Sequence, residues 1–70
     1  MMPLSFAETG ELLEIKKVSG NQETKKHLED LGFVVGGKVT VVSEINGNMI
    51  LNVKDSRIAI NRDLAARIMI

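Results

Sequence analysis

The sequence predicts a mainly β protein, a small five-stranded barrel with one helix inserted after the first strand and a short helical turn before the last strand. Three observations indicate this class. Apolar and polar residues alternate in several short segments, which is the period of a half-buried strand. Short stretches containing glycine or asparagine separate these segments at spacings typical of tight turns. Only residues 22–31 combine apolar residues at helical spacing with a capping residue at the start.

The first strand is predicted over residues 10–19, because Leu13 and Ile15 alternate with charged residues. Val18 falls three positions after Ile15, which indicates a bulge or bend that restores the inward face. Two apolar residues of the preceding segment are expected to anchor it to the core: Leu4 and Phe6.

The helix is predicted over residues 22–31, with Asn21 as the N-cap. Its narrow apolar stripe consists of Thr24, Leu28 and Leu31. Gly32 follows where a helix end favours a left-handed residue, and Phe33 is then placed to fold back on Leu28 as in a Schellman motif. The helix is therefore expected to stop abruptly at this glycine.

Three further strands are predicted over residues 38–45, 49–53 and 57–60, and Val39, Val41 and Ile45 are expected on one face of the first of them. Asn46–Asn48 is typical of a type I′ hairpin turn. One helical turn capped by Asn61 and a final strand over residues 67–70 complete the order. Five short, curled strands with a helical turn before the last are typical of an SH3-like barrel. The rival, an OB-type barrel, usually places its helix between the third and fourth strands.

The overall composition favours one small folded domain over residues 1–70. The hydrophobic fraction of 44% is too high for a disordered chain. Because the chain has no cysteine, it has neither disulfides nor thiolate metal ligands. No apolar run approaches a membrane span, and the first ten residues do not resemble a signal peptide, so we expect a soluble, cytoplasmic protein.

The charge pattern argues against a nucleic-acid-binding protein. Nine basic and nine acidic residues balance, and Phe6 and Phe33 are the only aromatic residues. Nucleic-acid binding requires a basic surface, and single-strand binding usually adds aromatic stacking platforms. An RNA- or DNA-binding barrel is therefore disfavoured.

The sequence resembles the ferrous iron transport protein A (FeoA) family. Three segments carry the resemblance, residues 4–20, 25–42 and 56–70, and together they span almost the whole chain. The matching positions are Leu4, Gly10, Ile15, Val18 and Gly20 in the first, Leu28, Leu31, Gly32 and Gly36 in the second, and Ile58, Ile60, Ala65 and Ile68 in the third. One departure is Val35, since many members have proline before the loop glycine.

The resemblance implies a function by partnership. Proteins of this family work with FeoB, a membrane ferrous-iron transporter that has a cytosolic GTP-binding domain. A cytosolic accessory or regulatory role on that transporter is therefore expected. The alternative is a metal-responsive sensor, since a similar domain occurs at the C-terminus of iron-dependent repressors. A free-standing accessory is favoured because no DNA-binding domain accompanies this one.

His27, Glu23 and Asp30 are the only candidates for a metal site. They fall at helical spacings that can share a face, and one imidazole with two carboxylates is a conceivable site for Fe²⁺ or another divalent transition metal. The competing interpretation is an exposed, charged helix face. It is favoured because one histidine without cysteine does not build a tight ferrous site. No resident cofactor is predicted.

No enzyme activity is predicted, because the chain lacks a nucleophile with a base and an orienting group. The glycines of residues 36–37 are followed by a strand, whereas a phosphate-binding loop is followed by a helix. A partner-binding surface is predicted instead around the apolar run that follows the helix, together with the adjoining helix side. Its candidate residues are His27, Leu31, Phe33, Val34 and Val35.

Overall fold

The computed structural model describes residues 1–70 and contains six strands, two α-helices and a short 3-10 turn at Leu4–Phe6. In chain order the elements are β1 (Leu12–Glu14), β2 (Lys17–Val18), α1 (Gln22–Asp30), β3 (Lys38–Ile45), β4 (Asn48–Val53), β5 (Ser56–Asn61), α2 (Arg62–Ala65) and β6 (Ile68–Met69). None of the helices combines the length and apolar character needed to cross a membrane.

The strands form two antiparallel sheets, a four-stranded one in the order β1-β3-β4-β5 and a two-stranded one formed by β2 and β6. The predicted first strand is divided between them at Ile15. The Ile15 N–H donates to the Gly37 carbonyl at 2.9 Å, whereas the next N–H, that of Lys16, donates to the Met69 carbonyl at 2.7 Å. The expected bend therefore transfers the chain from one sheet to the other, and six short strands replace the predicted five.

The core is one cluster of 12 buried apolar side chains that both sheets and both helices share. Leu4 is among them, as predicted, but the prediction for Phe6 is wrong because its side chain is 68% exposed. Successive residues of a 3-10 turn are about 120° apart, so a turn that directs Leu4 inward directs Phe6 elsewhere.

The end of α1 is the predicted Schellman motif. The Phe33 N–H donates to the Leu28 carbonyl and the Gly32 N–H donates to the Glu29 carbonyl, both at 2.9 Å. Gly32 has a φ of +105°, in the left-handed region that favours glycine. Phe33 and Leu28 are both buried in the core.

A β-bulge in β3 changes the predicted inward face of that strand. Val41 pairs with Leu51 and Ser43 pairs with Ile50, so Val42 is the extra residue. Val39 and Val41 are buried as predicted. Beyond the bulge the side-chain alternation is shifted, which leaves Ile45 55% exposed and corrects its predicted inward position.

The hairpin between β3 and β4 has the predicted turn. Asn46 and Gly47 both have positive φ, +50° and +81°, as a type I′ turn requires. The second tight turn, between β4 and β5, has Lys54 at a φ of +56°. Together the two hairpins keep β3, β4 and β5 in one continuous antiparallel ladder.

Candidate partner-binding groove

A groove of about 380 Å³ lies between α1, β2 and the segment that follows the helix. Because β2 leads through three residues into α1, and the post-helix segment follows directly, one stretch of sequence, residues 16–35, contains every residue that lines the groove. Eight residues line the groove: Lys16, Lys17, Val18, Lys25, Glu29, Phe33, Val34 and Val35.

The apolar run at the end of α1 divides between the core and the groove. The Schellman motif directs Phe33 inward, and this residue is 1% exposed. Phe33 therefore lines the groove from the core side and is not an exposed contact. Val34 and Val35 are 36% and 66% exposed. The two valines therefore lie outside the core, whereas Phe33 lies inside it.

Hydrogen bonds fix both valines in this exposed position. The Gly36 N–H donates to the Ile15 carbonyl at 2.8 Å, and the Gly37 N–H donates to the Val34 carbonyl at 2.9 Å. The segment is therefore held by the buried Phe33 at one end and by the first strand at the other. Such preorganisation lowers the entropy cost of binding a partner.

The rim of the groove is predominantly basic, although the whole chain has no net charge. Three lysines and one glutamate line the groove, so the net charge of its lining is 3 − 1 = +2. Lys16 lies 3.7 Å from Glu14, which also accepts a hydrogen bond from Lys38 at 3.1 Å. That hydrogen bond, followed by the charges of Lys16 and Lys38, lowers the pKa of Glu14 below its ordinary value. Lys17 and Lys25 take part in none of the ion pairs of the structure.

The structure places His27 and Leu31 away from this groove. Residues of an α-helix are about 100° apart, so His27 lies about 200° round the helix from Lys25, whereas Glu29 lies only about 40° from it. Leu31 is half-buried and packs against the core. Of the five predicted partner-binding residues, Phe33, Val34 and Val35 therefore share the groove, while His27 and Leu31 belong to the other flank of α1.

The three metal-site candidates are all exposed on α1: Glu23, His27 and Asp30. The structure contains no group of three or more histidine, aspartate or glutamate side chains placed to hold one metal ion. The helical spacing that prompted the hypothesis therefore does not bring these side chains together into such a group.

Sequence reasoning missed the strand and helix residues that complete the groove: Lys16, Lys17, Val18, Lys25 and Glu29. Lys25 and Glu29 are four residues apart on the exposed side of the helix, and an exposed side can border a groove. The consecutive lysines before the strand end were a signal of a charged rim. Only the packing of β2 beside α1 shows that both sets face the same space.

Comparison with known proteins agrees with this architecture. Residues 2–70 match the model of the FeoA domain family. A protein of Methanocaldococcus jannaschii named "Putative Fe(2+) transport protein A" is 39% identical over 70 residues, which are 100% of this chain and 85% of that protein.

Solved structures share the fold. The crystal structure of an iron uptake regulatory protein, FeoA, superposes with a TM-score of 0.90 at 28% identity and covers 97% of this chain and 90% of its own. The zinc complex of Stenotrophomonas maltophilia FeoA, described as an SH3-domain protein, gives a TM-score of 0.85 at 24% identity over 99% of this chain and 88% of its own. A manganese-dependent transcriptional repressor shares the fold at 13% identity, with a TM-score of 0.84 over 94% of this chain and 38% of its own.

The predicted SH3-like class is confirmed by these neighbours, and the predicted helix position after the first strand agrees with it. The matched family is one of iron(II) transport proteins and is not a known family of enzymes. Since the family model covers nearly the whole sequence, this chain belongs to the FeoA domain family.

Proposed function

We propose that this protein is a cytosolic accessory of ferrous iron uptake and acts by binding the cytosolic side of a FeoB-type membrane transporter, which has a GTP-binding domain. Membership of the FeoA domain family supports the link to iron(II) transport. The chain's part in that process is to bind a protein rather than to turn over a substrate.

The exposed valine pair beside the groove carries this proposal. Val34 and Val35 are adjacent, 36% and 66% exposed, and fixed by backbone hydrogen bonds on either side. Burying a valine side chain completely contributes about 1.5–3 kcal/mol relative to leaving it exposed. Both valines are already partly buried, so each contributes less than this, but together they form an apolar contact on a preorganised segment that lines the same groove as three lysines.

The test is an amide-resolved NMR titration of the chain with the GTP-binding domain of the FeoB-type transporter from the same organism, with and without nucleotide. Shifts are expected to cluster on the groove residues. The double variant Val34→Ser/Val35→Ser removes the apolar area without adding charge. It should weaken binding about tenfold or more, because about 1.4 kcal/mol corresponds to a tenfold change in Kd.

The matched control is Val42→Ser/Ile45→Ser, which removes two β-branched side chains of similar exposure, 37% and 55%, from another face. It should bind the transporter domain as the unchanged protein does. Equal weakening by both double variants would remove the valine pair from the proposal. Shifts confined to the flank of His27 and Leu31 would move the contact to that side of α1.

The second candidate is a metal-responsive regulatory domain, which is supported by the shared fold of the manganese-dependent repressor. Calorimetric titration under anaerobic conditions with Fe²⁺, and separately with Mn²⁺, distinguishes the two. A sensor should bind one of these ions with a Kd in the micromolar range, about −8 kcal/mol. An accessory that works by protein contact does not need such affinity.

A further inference from the structure

A second exposed segment carries acidic side chains and large apolar side chains. Residues 6–12, here called the acidic loop, include Glu8 and Glu11 and no basic residue. Phe6 and Leu12 at its two ends are 68% and 70% exposed. Neither glutamate takes part in an ion pair of the structure. The loop thus presents two large apolar side chains and two free carboxylates.

The acidic loop is held at both ends. Leu4 is buried in the core, and its carbonyl accepts a hydrogen bond from the Ala7 N–H at 3.0 Å. The Gly10 N–H donates to the Val41 carbonyl at 2.8 Å, and Gly10 has a φ of +87°. Little conformational entropy therefore remains to be lost when the loop meets another surface.

The acidic loop complements the groove in charge and in apolar character. The loop has two carboxylates, and the rim has a balance of +2 that includes Lys17 and Lys25, both without ion pairs. The apolar side of the groove contains Val18, Val34 and Val35. Charges that match in this way favour one orientation of contact and reject others.

The loop does not reach the groove of its own chain. Gly10 lies level with Val41, well along β3, whereas the groove lies beside the segment that precedes β3. None of the residues of the acidic loop lines the groove, and neither Glu8 nor Glu11 pairs with Lys17 or Lys25 within one chain. Any contact between the two must therefore join two molecules.

We propose that the acidic loop of one copy docks in the groove of a second copy. Phe6 packs on Val18, Val34 and Val35, while Glu8 and Glu11 approach Lys17 and Lys25. The two surfaces differ, so the contact is heterologous, with the loop of one molecule in the groove of the next. Each row of associated molecules therefore ends in one free loop and one free groove. The small groove makes the contact weak and dependent on concentration.

This proposal needs only this chain and does not depend on a transporter. If the transporter also uses the groove, the two contacts exclude each other. Self-association then becomes a means by which the protein's own concentration limits its binding to the partner.

The experiment is sedimentation velocity of the full chain over concentrations up to about 1 mM, a range that reaches contacts as weak as about −4 kcal/mol. The mean sedimentation coefficient should rise with concentration and fall again as salt is raised to about 0.5 M, which screens the charges. A chain that stays monomeric throughout at low salt overturns the proposal.

Two variants assign the surfaces. Lys17→Glu/Lys25→Glu makes the groove repel the acidic loop, and Phe6→Ser/Glu8→Gln/Glu11→Gln removes the complementary features of the loop. Each variant alone should remain monomeric, with an unchanged circular dichroism spectrum. An equimolar mixture should form a complex of two chains and no larger species, because one intact loop and one intact groove remain. A monomeric mixture, or association by either variant alone, contradicts the assigned contact.

Discussion

Gly32 shows how one residue position controls the site. Its φ of +105° is unfavourable for any side chain, and a Cβ there would lie 3.1 Å from Cγ1 of Val53. We expect Gly32→Ala to lower the free energy of unfolding by about 1–2 kcal/mol from the left-handed conformation alone, with the contact with Val53 adding to this loss. Urea denaturation followed by circular dichroism measures it.

Gly36→Ala is the matched control for that substitution. Gly36 also has a positive φ, +86°, but a Cβ there would meet no atom within 4 Å. Gly36→Ala should therefore lower the free energy of unfolding less than Gly32→Ala does. The difference between the two variants is the contribution of the contact with Val53. Equal losses would assign the whole effect to the backbone conformation.

The contribution of Glu14 to the stability of the protein depends on pH. Lys38, by its hydrogen bond, and then the charges of Lys16 and Lys38 hold its pKa below the ordinary value. A lowered folded-state pKa contributes stability that is present above the unfolded-state pKa and is lost as pH falls through the folded-state pKa. Because the group is exposed, the contribution is small.

We therefore expect Glu14→Gln to be slightly less stable than the unchanged protein at about pH 7, a difference that disappears as pH falls through the folded-state pKa of Glu14. NMR titration of the Glu14 carboxyl should give a midpoint below the ordinary value of a glutamate carboxyl. A midpoint at or above that ordinary value would refute the role of the two lysines.

At the scale of elements, α1 depends on its ends. Nine residues are too few for an independently stable helix, so its caps and its packing maintain it. The Asn21 side chain accepts a hydrogen bond from the Thr24 N–H at 2.8 Å. Asn21→Ala should lower the free energy of unfolding by about 1 kcal/mol, the usual value of an N-cap.

Asn21→Asp is the control for this prediction. It keeps an acceptor oxygen and places a negative charge at the helix N-terminus, where the helix dipole favours it. Chemical denaturation should give a stability close to that of the unchanged protein. Equal destabilisation by alanine and aspartate would show that another property of asparagine matters there.

At the scale of the whole molecule, Ile15 joins the two sheets. Its side chain is fully buried, and its N–H and carbonyl both bond to the Gly36–Gly37 turn at the point where the strand changes sheets. Ile15→Ala should cost about 2–5 kcal/mol, the range for truncating a buried isoleucine. Thermal and urea unfolding, followed by amide signals from both sheets, should show one shared transition at lower stability.

Ile45→Ala removes the same atoms from a side chain that is 55% exposed. It should change the free energy of unfolding by no more than about 0.5 kcal/mol.

Loss of the β2–β6 sheet alone in Ile15→Ala, with the four-stranded sheet intact, would show that the sheets do not share one cooperative core.

Features that depend only on neighbouring residues can be predicted from the amino-acid sequence. The N-cap at Asn21, the Schellman motif at Gly32 and the type I′ turn at Asn46–Gly47 each require particular residue types at fixed spacings, and the structure has all three. The alternation of strand residues likewise identified Ile15, Val39 and Val41 as core residues. It failed at Ile45, because a bulge at Val42 is not encoded by alternation alone.

Which residues share a surface depends on contacts between elements that are distant in the sequence. The division of the first strand at Ile15 follows from hydrogen bonds to segments more than 20 residues away. The groove exists because β2 and α1 pack beside each other, which places Lys17 and Lys25 on one rim and directs His27 to another side. Local spacing determines the direction of a side chain within its element, but the contacts between elements determine what that side chain faces.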